Sequence, residues 1–392
     1  MSFFCEKSIR MKKVYFDSAA TTQLRDEVIT CMTEALRTEY GNPSSTHSYG
    51  RSSKSLLESA RKDVAKILNV SASEIIFTSG GTEADNLILV SCVRDLGVER
   101  IISSKIEHHA VLHTLEWLEK RHNVQLDFVK LDACGHVDYS HLENLLADGS
   151  KKTLVSLMHV NNEVGNVLKL KEVALLCKKY NALFHSDTVQ SVGHFELDFS
   201  EIPIDFAVSA AHKYHGPKGA GFAFIRKNSG LKSLLHGGEQ ERGLRAGTEA
   251  VYAIAGMAEA LKLAYQNLEK ERQYIIELKD YFKEQLIANI PGIKFNGACD
   301  ENERSTYTLL NVCLPISPEK AMLLLFQLDL KGIACSKGSA CQSGAEGGSH
   351  VLKAFLSEED LKKPSIRFSF SSFNKKEDVD YVVEVLKEFI EK

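Results

Sequence analysis

Lys213 occupies an unusual place in the sequence for a charged side chain. It lies in the stretch SAAHKYHGPKG, where an apolar run typical of a buried strand ends and a glycine-rich segment begins. Partial desolvation lowers the pKa of a lysine, and the neutral amine is then a nucleophile that can form a Schiff base. Asp187 closes a second strand-like run, ALFHSD. A purely structural ion pair between these two residues is the simpler alternative.

A carboxylate such as Asp187, with Gln190 one turn later, can hold a pyridine ring protonated, which makes pyridoxal phosphate an electron sink. That cofactor also needs a site for its phosphate. The stretch EIIFTSGGTEADN predicts a strand that leads through Gly81 and Thr82 into a helix, whose free backbone amides favour an anion. A tight turn with Thr82 as the helix N-cap is the alternative. The spacing matches neither a dinucleotide site nor a Walker-type site.

His108 follows another apolar run, in the stretch SSKIEHHAVL. Its flat ring can stack on a pyridine and also carry protons. A histidine in a loop is more often on the surface or held by ordinary hydrogen bonds, so this alternative stays open. His109, the next residue, is expected to point elsewhere.

Cys341 lies in ACSKGSACQSGAEGG, a loop of small and polar residues. A thiol in such a loop is accessible, and Lys337 or His350 nearby favours its thiolate, so the sequence predicts a reactive cysteine. Cys335 follows two apolar residues and is interpreted as a strand end. A redox pair between the two cysteines is an alternative.

Short apolar runs alternate with helical patterns through most of the chain, from EIIFTS through RIISS, TLVSLMHV and ALFHSD to GAGFAFI. This alternation is typical of an α/β fold in which helices cover both faces of a mostly parallel sheet, here of seven strands. Ligands of such sheets bind in the loops at the carboxyl ends of the strands. The candidate residues described above lie in loops of this kind.

The pattern changes towards the end of the chain, which predicts two domains. A helical periodicity runs from about Glu249 to Pro291 and is followed by a few strands and helices. We therefore expect a large cofactor-binding domain at 14–260. A smaller α+β domain at 261–392 would carry the Cys341 loop, with residues 1–13 able to pack on it.

Composition excludes several classes of protein. The 392 residues include 48 basic and 52 acidic side chains, so neither nucleic acid nor an anionic membrane is indicated as a partner. The 9 cysteines contain no CxxC pair, which argues against a disulfide framework and against a metal site. No apolar stretch reaches the roughly 18 residues of a membrane span, so a cytoplasmic location is expected. Translation from Met1 or from Met11 fits the pattern equally well.

Taken in order, these motifs resemble the cysteine desulfurases, within the aminotransferase class V group of fold type I pyridoxal-phosphate enzymes. The likeness extends over nearly the whole chain after residue 12. It rests on the stretches VYFDSAATT, GNPSSTH, FTSGGTEADN, EHHAVL, MHVNNEVG, HSDTVQSVG, SAAHKYHGPKG, HGGEQERGLRAGT, GSACQS and SIRFSFSSFN.

The resemblance implies roles around the cofactor ring. Lys213 carries pyridoxal phosphate as a Schiff base, Asp187 pairs with the ring nitrogen, and Gln190 meets the ring hydroxyl. His108 stacks on the ring and transfers protons. Asn162 is implied as a ligand of the ring hydroxyl or of the substrate.

The resemblance also implies a phosphate site in a homodimer. Gly81, Thr82 and His212 hold the phosphate, and Thr248 reaches it from the other subunit. The chain departs from the family pattern at two positions. Ala210 and Ala246 stand where relatives often have serines, so we expect weaker retention of the cofactor.

The implied reaction removes sulfur from L-cysteine and yields L-alanine. Arg367 clamps the substrate carboxylate, a task suited to a guanidinium, and Asn42 assists. A persulfide on Cys341 then passes to a sulfur-acceptor protein, either an iron-sulfur scaffold or a thiolation enzyme. Two alternatives remain: another enzyme of the same fold, such as a selenocysteine lyase, and a non-catalytic sulfur-carrier or regulatory protein.

Overall fold

The structure is a computed structural model and describes residues 12–337 and 348–391. Its helices are α1 (Asp26–Thr38), α2 (Ser48–Ile67), α3 (Gly81–Leu96), α4 (His109–His122), α5 (Tyr139–Ala147), α6 (Leu170–Lys179), α7 (Val251–Gln266), α8 (Leu268–Asn289), α9 (Pro318–Ala321), α10 (Leu324–Leu330), α11 (His350–Lys353), α12 (Glu358–Leu361) and α13 (Lys376–Glu391). Short 3-10 helices cover Ala72–Glu74, Ala211–Lys213 and Gln240–Gly243. None of the helices in these ranges combines the length and the apolar character needed to span a bilayer.

The strands form three sheets. They are β1 (Val14–Tyr15), β2 (Ile75–Thr78), β3 (Arg100–Ser103), β4 (Gln125–Phe128), β5 (Thr153–Ser156), β6 (Leu183–Asp187), β7 (Phe206–Ala210), β8 (Gly221–Ile225), β9 (Lys294–Phe295), β10 (Leu309–Cys313), β11 (Ile333–Ala334) and β12 (Ser365–Ser369). The largest sheet has 7 strands in the order β2-β8-β7-β6-β5-β3-β4. Only β8 runs antiparallel to its neighbours in this sheet.

Helices cover both faces of this large sheet, so most of its strand residues are buried. Successive side chains of a strand point to opposite faces. In β2, Ile75 and Phe77 enter one apolar cluster and Ile76 enters another on the opposite face. The predicted α/β fold with a mostly parallel seven-stranded sheet is therefore confirmed.

The strands of the large sheet bring the candidate residues to one edge. β2, β3, β5, β6 and β7 all have their carboxyl ends there, because β2 and β7 are both antiparallel to the intervening β8. Asp187 is the last residue of β6, and Lys213 ends the 3-10 turn that follows β7. This is the edge at which open α/β sheets bind ligands.

A second lobe has its own apolar cluster. The antiparallel sheet β12-β10-β9 packs with α8 and α13, and β1 pairs with β11 beside it. The sequence predicted one helical segment from about Glu249 to Pro291, but the structure has α7 and α8, which separate at Asn267. The reason is packing: Ala264 of α7 faces the large-sheet cluster, whereas Ile275 of α8 faces the second one.

Packing also differs from the predicted boundaries near the amino terminus. Val14 and Phe16 belong to the cluster of the second lobe, although they fall within the range 14–260 assigned to the large domain. Pairing with β11 places them there. As limits of independent domains, 14–260 and 261–392 stay a prediction.

A buried ion pair fixes the segment that precedes α7. Arg61 of α2 is 2% exposed, and two of its nitrogens donate to the carboxylate of Glu241 at 2.7 and 2.8 Å. Glu241 also accepts the backbone N–H of Phe77 at 2.8 Å. These bonds hold Glu241 at a positive φ of 47°. Removal of one partner leaves an uncompensated buried charge.

We expect the change Arg61→Met to lower the free energy of unfolding by about 3–5 kcal/mol, because Glu241 stays buried without its cation. The exposed neighbour Arg242 supplies the control, and Arg242→Met should cost less than about 1 kcal/mol. Chemical denaturation of both variants measures the difference. Equal losses in the two variants would contradict a special role for the buried pair.

Candidate active site

A cavity of about 230 Å³ lies at the carboxyl edge of the large sheet, with walls from both lobes. Most of the predicted site residues line it: Gly81, Thr82, His108, Asn162, Asp187, Gln190, His212, Lys213 and Arg367. Thus residues spread over almost the whole chain meet at one place.

Two predicted residues that the structure describes, Thr248 and Asn42, do not line this cavity. Thr248 is exposed in the segment before α7. Asn42 is also exposed, and its side-chain oxygen accepts the backbone N–H of Ser44 at 2.9 Å. Cys341 lies outside the described residues. The roles assigned to these three residues stay predictions.

Lys213 is held at the cavity wall by backbone carbonyls. Its Nζ donates to the carbonyl oxygens of Ala19 and Ala20, at 2.6 and 2.9 Å. The backbone carbonyl of Lys213 is 3.0 Å from Nε2 of His194, and this contact fixes the 3-10 turn that ends at Lys213. The lysine amine therefore has a defined position before any ligand enters.

Asp187 lies beside Lys213 at the end of β6 and is 6% exposed. One carboxylate oxygen accepts the backbone N–H of Val189 at 2.9 Å. Burial raises the pKa of Asp187, whereas the charges of His108 and Lys213 oppose this rise. The neighbouring Gln190 donates to the carbonyl of Ala19 at 2.9 Å and is thereby fixed at the same wall.

His108 is the N-cap of α4, and this role sets its tautomer. Its Nδ1 accepts the backbone N–H of Ala110 at 3.1 Å, so the proton of the neutral ring is on Nε2. Burial lowers the pKa of His108, although the charge of Asp187 acts in the opposite direction. As predicted, His109 does not line this cavity; its ring stacks on His113 instead.

The end of the cavity at the start of α3 has the properties of an anion site. Gly81 is the first residue of the helix, and a Cβ there would lie 2.7 Å from the side chain of Val189, so only glycine permits this close approach. Burial lowers the pKa of His212 to about 4, and its Nδ1 is buried without a hydrogen bond to any described group. Free helix amides and an orphaned imidazole nitrogen fit a phosphate.

Arg367 of β12 brings the second lobe to the cavity. It is 1% exposed, donates from Nη1 to the carbonyl of Asn162 at 2.7 Å, and pairs through Nη2 with Asp17 at 2.8 Å. Its Nε makes no hydrogen bond within the described part of the chain. The guanidinium is thus oriented, and it keeps further N–H donors for an acidic ligand.

Sequence reasoning missed the acids beneath the cavity. Asp85 lines the wall, and Glu107 accepts the backbone N–H of Met158, another lining residue; both acids are 1% exposed. Burial raises the pKa of Glu107 to about 8 and that of Asp85 well above its ordinary value. The sequence contains one indication of a role for Asp85. It lies four residues after Gly81, so the two residues are on the same face of α3.

The arrangement has the functional groups that pyridoxal phosphate requires. An amine and a carboxylate, Lys213 and Asp187, line one cavity, and the anion site at Gly81 lies at its end. The orphaned Nδ1 of His212 supports this fit independently of any sequence motif.

Comparisons with known proteins agree with the sequence motifs. The model of the family "Aminotransferase class-V" matches residues 14–382. A protein of Dictyoglomus turgidum named cysteine desulfurase IscS is 39% identical over 97% of this chain and 95% of its own length. Its namesake from Methanosarcina thermophila is also 39% identical, over 98% of this chain and 94% of its own.

Solved structures show the same fold. A NifS-like protein superimposes with a TM-score of 0.87 at 35% identity, covering 97% of this chain and 100% of that one. The NifS-like protein from Rickettsia africae gives a TM-score of 0.85 at 30% identity, over 97% of this chain and 100% of that one.

We expect Glu107→Gln to remove one source of pH-dependent stability. The pKa of Glu107 is about 8 in the fold and 4.5 in the unfolded chain. Its contribution to the free energy of unfolding is therefore fully present below pH 4.5 and is lost as pH rises through about 8. Glutamine keeps the acceptor for Ser104 and for the N–H of Met158 but cannot ionise. The variant should therefore gain stability relative to wild type as pH rises from 5 to 9.

Chemical denaturation across this pH range measures the difference. Exposed Glu119→Gln is the control and should show no such trend. A constant difference between Glu107→Gln and wild type would mean that Glu107 is ionised in the fold.

Proposed function

The chain belongs to the aminotransferase class-V family, and we propose that it is a pyridoxal-phosphate-dependent cysteine desulfurase. It converts L-cysteine to L-alanine and retains the sulfur as a persulfide on Cys341. The observation that carries the proposal is that Lys213, Asp187 and His108 line one cavity. The match to proteins named cysteine desulfurase over nearly the whole chain supports the choice of reaction.

The residues that would hold pyridoxal phosphate follow from the cavity. Lys213 would bind its aldehyde carbon and Asp187 its ring nitrogen, while Gly81, Thr82 and His212 would bind the phosphate. When bound, the cofactor supplies an electron sink for the pair of electrons released at the substrate Cα.

Two residues handle protons. The carbonyls of Ala19 and Ala20 hold the amine of Lys213 at the wall, where it serves as the base for the α-proton of the substrate. His108 presents Nε2–H because its Nδ1 is occupied by the helix cap. It stacks on the ring and serves as the second proton carrier.

Substrate binding falls to groups at the junction of the lobes. Arg367 binds the carboxylate of L-cysteine, since Asp17 and the carbonyl of Asn162 already fix the plane of its guanidinium. The side chain of Asn162 binds the ring hydroxyl or the substrate, and Gln190 binds the ring hydroxyl. Asn42 has the weakest support, because it does not line the cavity.

Sulfur transfer depends on a thiolate. Cys341 attacks the substrate sulfur: a sulfur–sulfur bond forms, the carbon–sulfur bond breaks, and a proton on that carbon completes L-alanine. Cys335 is unsuited to this task because burial raises the pKa of its thiol to about 12. The persulfide then passes to a sulfur-acceptor protein, an iron-sulfur scaffold or a thiolation enzyme.

A homodimer completes the phosphate site. Thr248 is exposed on the single chain, as expected of a side chain that reaches the phosphate of the other subunit. A selenocysteine lyase would not require Cys341. A non-catalytic carrier would not need Lys213, Asp187 and His108 in one cavity, so neither alternative is favoured.

Cysteine substitutions test the reaction. With Cys341→Ala we expect normal binding of the yellow cofactor and loss of sulfide release from L-cysteine, whereas Cys335→Ala keeps most of the activity because its thiol is protonated. Lys213→Ala should lose both the characteristic absorption and the activity. Assays of alanine and sulfide beside absorption spectra give the result. Full sulfide release by Cys341→Ala would refute the persulfide step.

Replacement of Ala210 tests the phosphate site. Its Cβ lies 3.9 Å from the position that a Cβ on Gly81 would take, so a hydroxyl there reaches the anion site. We expect Ala210→Ser to slow the release of pyridoxal phosphate, measured by the decay of its absorption on dilution into a scavenger. Thermal unfolding of both apoproteins checks that the fold is unchanged. Equal release rates would show that the missing hydroxyl has no bearing on retention.

A further inference from the structure

Asp85 is a buried carboxyl group that the reaction described above does not use. It lies in the second turn of α3 and lines the same cavity as Asp187. Its Oδ1 is 3.3 Å from Nε2 of His185 on β6. Both side chains are buried, at 1% and 0% exposure, and within the described part of the chain neither of these two atoms makes a hydrogen bond, even to the other.

His185 is connected to a third residue. Its Nδ1 is 2.9 Å from Oγ of Ser156, which faces it across the β5–β6 pairing. His185 is two residues before Asp187 on the same strand, so both side chains point to the same face of the sheet, towards α3. Ser156, His185 and Asp85 therefore form a chain of polar groups that ends in the cavity beside Asp187.

Hydrogen bonding assigns the protons of this chain. When the Ser156 hydroxyl donates to Nδ1, the neutral imidazole carries its proton on Nε2, the atom that faces Oδ1 of Asp85. The contact between Nε2 and Oδ1 falls short of a hydrogen bond, so no donor among the described residues stabilises an ionised Oδ1. Burial lowers the pKa of His185 to about 3, so the ring is neutral and cannot offset a charge on Asp85.

The charges around Asp85 decide its ionisation. Asp187 on β6 and Glu107 before α4 are acidic, and both add to burial in raising the pKa of Asp85. Among the described residues that line the cavity, the cationic side chains are those of Lys213 and Arg367, and Arg367 pairs with Asp17. Two negative charges in a shared buried site repel each other, so one carboxyl group keeps its proton.

We propose that Asp85 is a positioning residue that forms an unequal carboxyl pair with Asp187: Asp85 keeps the proton and Asp187 keeps the charge. Ser156 and His185 form a relay that presents Nε2–H of the ring to Asp85. The role deepens the proposed function, since a single negative charge on Asp187 is what a pyridine nitrogen needs in order to stay protonated.

Infrared spectroscopy of the apoprotein tests the pair without cofactor or substrate. Near neutral pH, wild type should show the carbonyl bands of protonated carboxyl groups, and Asp85→Asn should lose one of them. Glu107→Gln is the matched control and should lose a different one. If Asp85→Asn removes no such band, Asp85 is ionised and the proposal is wrong.

The coupling to Asp187 has its own readout. In Asp187→Asn the repulsion disappears, so the Asp85 band should titrate at lower pH than in wild type by about one unit or more. An unchanged titration would show that the two groups are independent and overturn the pair. Nitrogen NMR of His185 should report the Nε2–H tautomer, and Ser156→Ala should shift the Nδ1 resonance; an Nδ1–H tautomer would refute the relay.

The holoprotein tests the charge of Asp85 through the absorption of the cofactor. Asparagine mimics a neutral carboxyl group, so the pH dependence of cofactor absorption in Asp85→Asn should follow wild type within a few tenths of a unit. A displacement of about one unit would mean that Asp85 carries charge. If the chain binds the cofactor but releases no sulfur from L-cysteine, the proposed reaction fails while these spectroscopic results still decide the role of Asp85.

Discussion

The segment from Asp17 to Ala20 joins the two lobes, and the geometry of the cavity depends on it. Asp17 holds Arg367 of the small lobe, while the backbone carbonyls of Ala19 and Ala20 accept the amine of Lys213 from the large one. The N–H of Ala19 in turn donates to Oγ of Ser369 at 2.8 Å. Lys213, the proposed base, and Arg367, which binds the substrate carboxylate, are therefore fixed relative to each other through a few hydrogen-bonded residues. Catalysis on a small substrate requires positions as precise as these.

Burial of acids is the second constraint on the site. Asp85, Glu107 and Asp187 are all nearly inaccessible, and burial opposes the ionised form of each. Among these three acids, only Asp187 has basic side chains nearby, His108 and Lys213, that lower its pKa. The protein thus places one negative charge where an electron-poor ring needs it and surrounds that charge with neutral groups, which would not compete for the ring proton.

Sequence reasoning was strongest where local pattern and chemistry coincide. The strand ends before Asp187 and Lys213 and the glycine turn at Gly81 were predictable, because apolar runs and glycine positions reflect the sheet directly. Asp85 and His185 were missed because their importance comes from a contact between α3 and β6, and the two residues are 100 positions apart in the chain. The break at Asn267 was missed for a related reason: helical periodicity continues through it, and only tertiary packing shows that the two halves face different cores.

The two cysteines near the carboxyl terminus show how environment divides chemical roles between identical side chains. Cys335 directly follows β11 and is close to Asp17, and burial and this negative charge both disfavour its thiolate. Cys335 is next to the β1–β11 pairing, and β1 lies directly before the Asp17–Ala20 segment in the chain. A reactive thiolate at that position would conflict with the scaffold that holds Lys213. Sulfur chemistry is therefore expected from another cysteine, and the sequence has Cys341 six residues later.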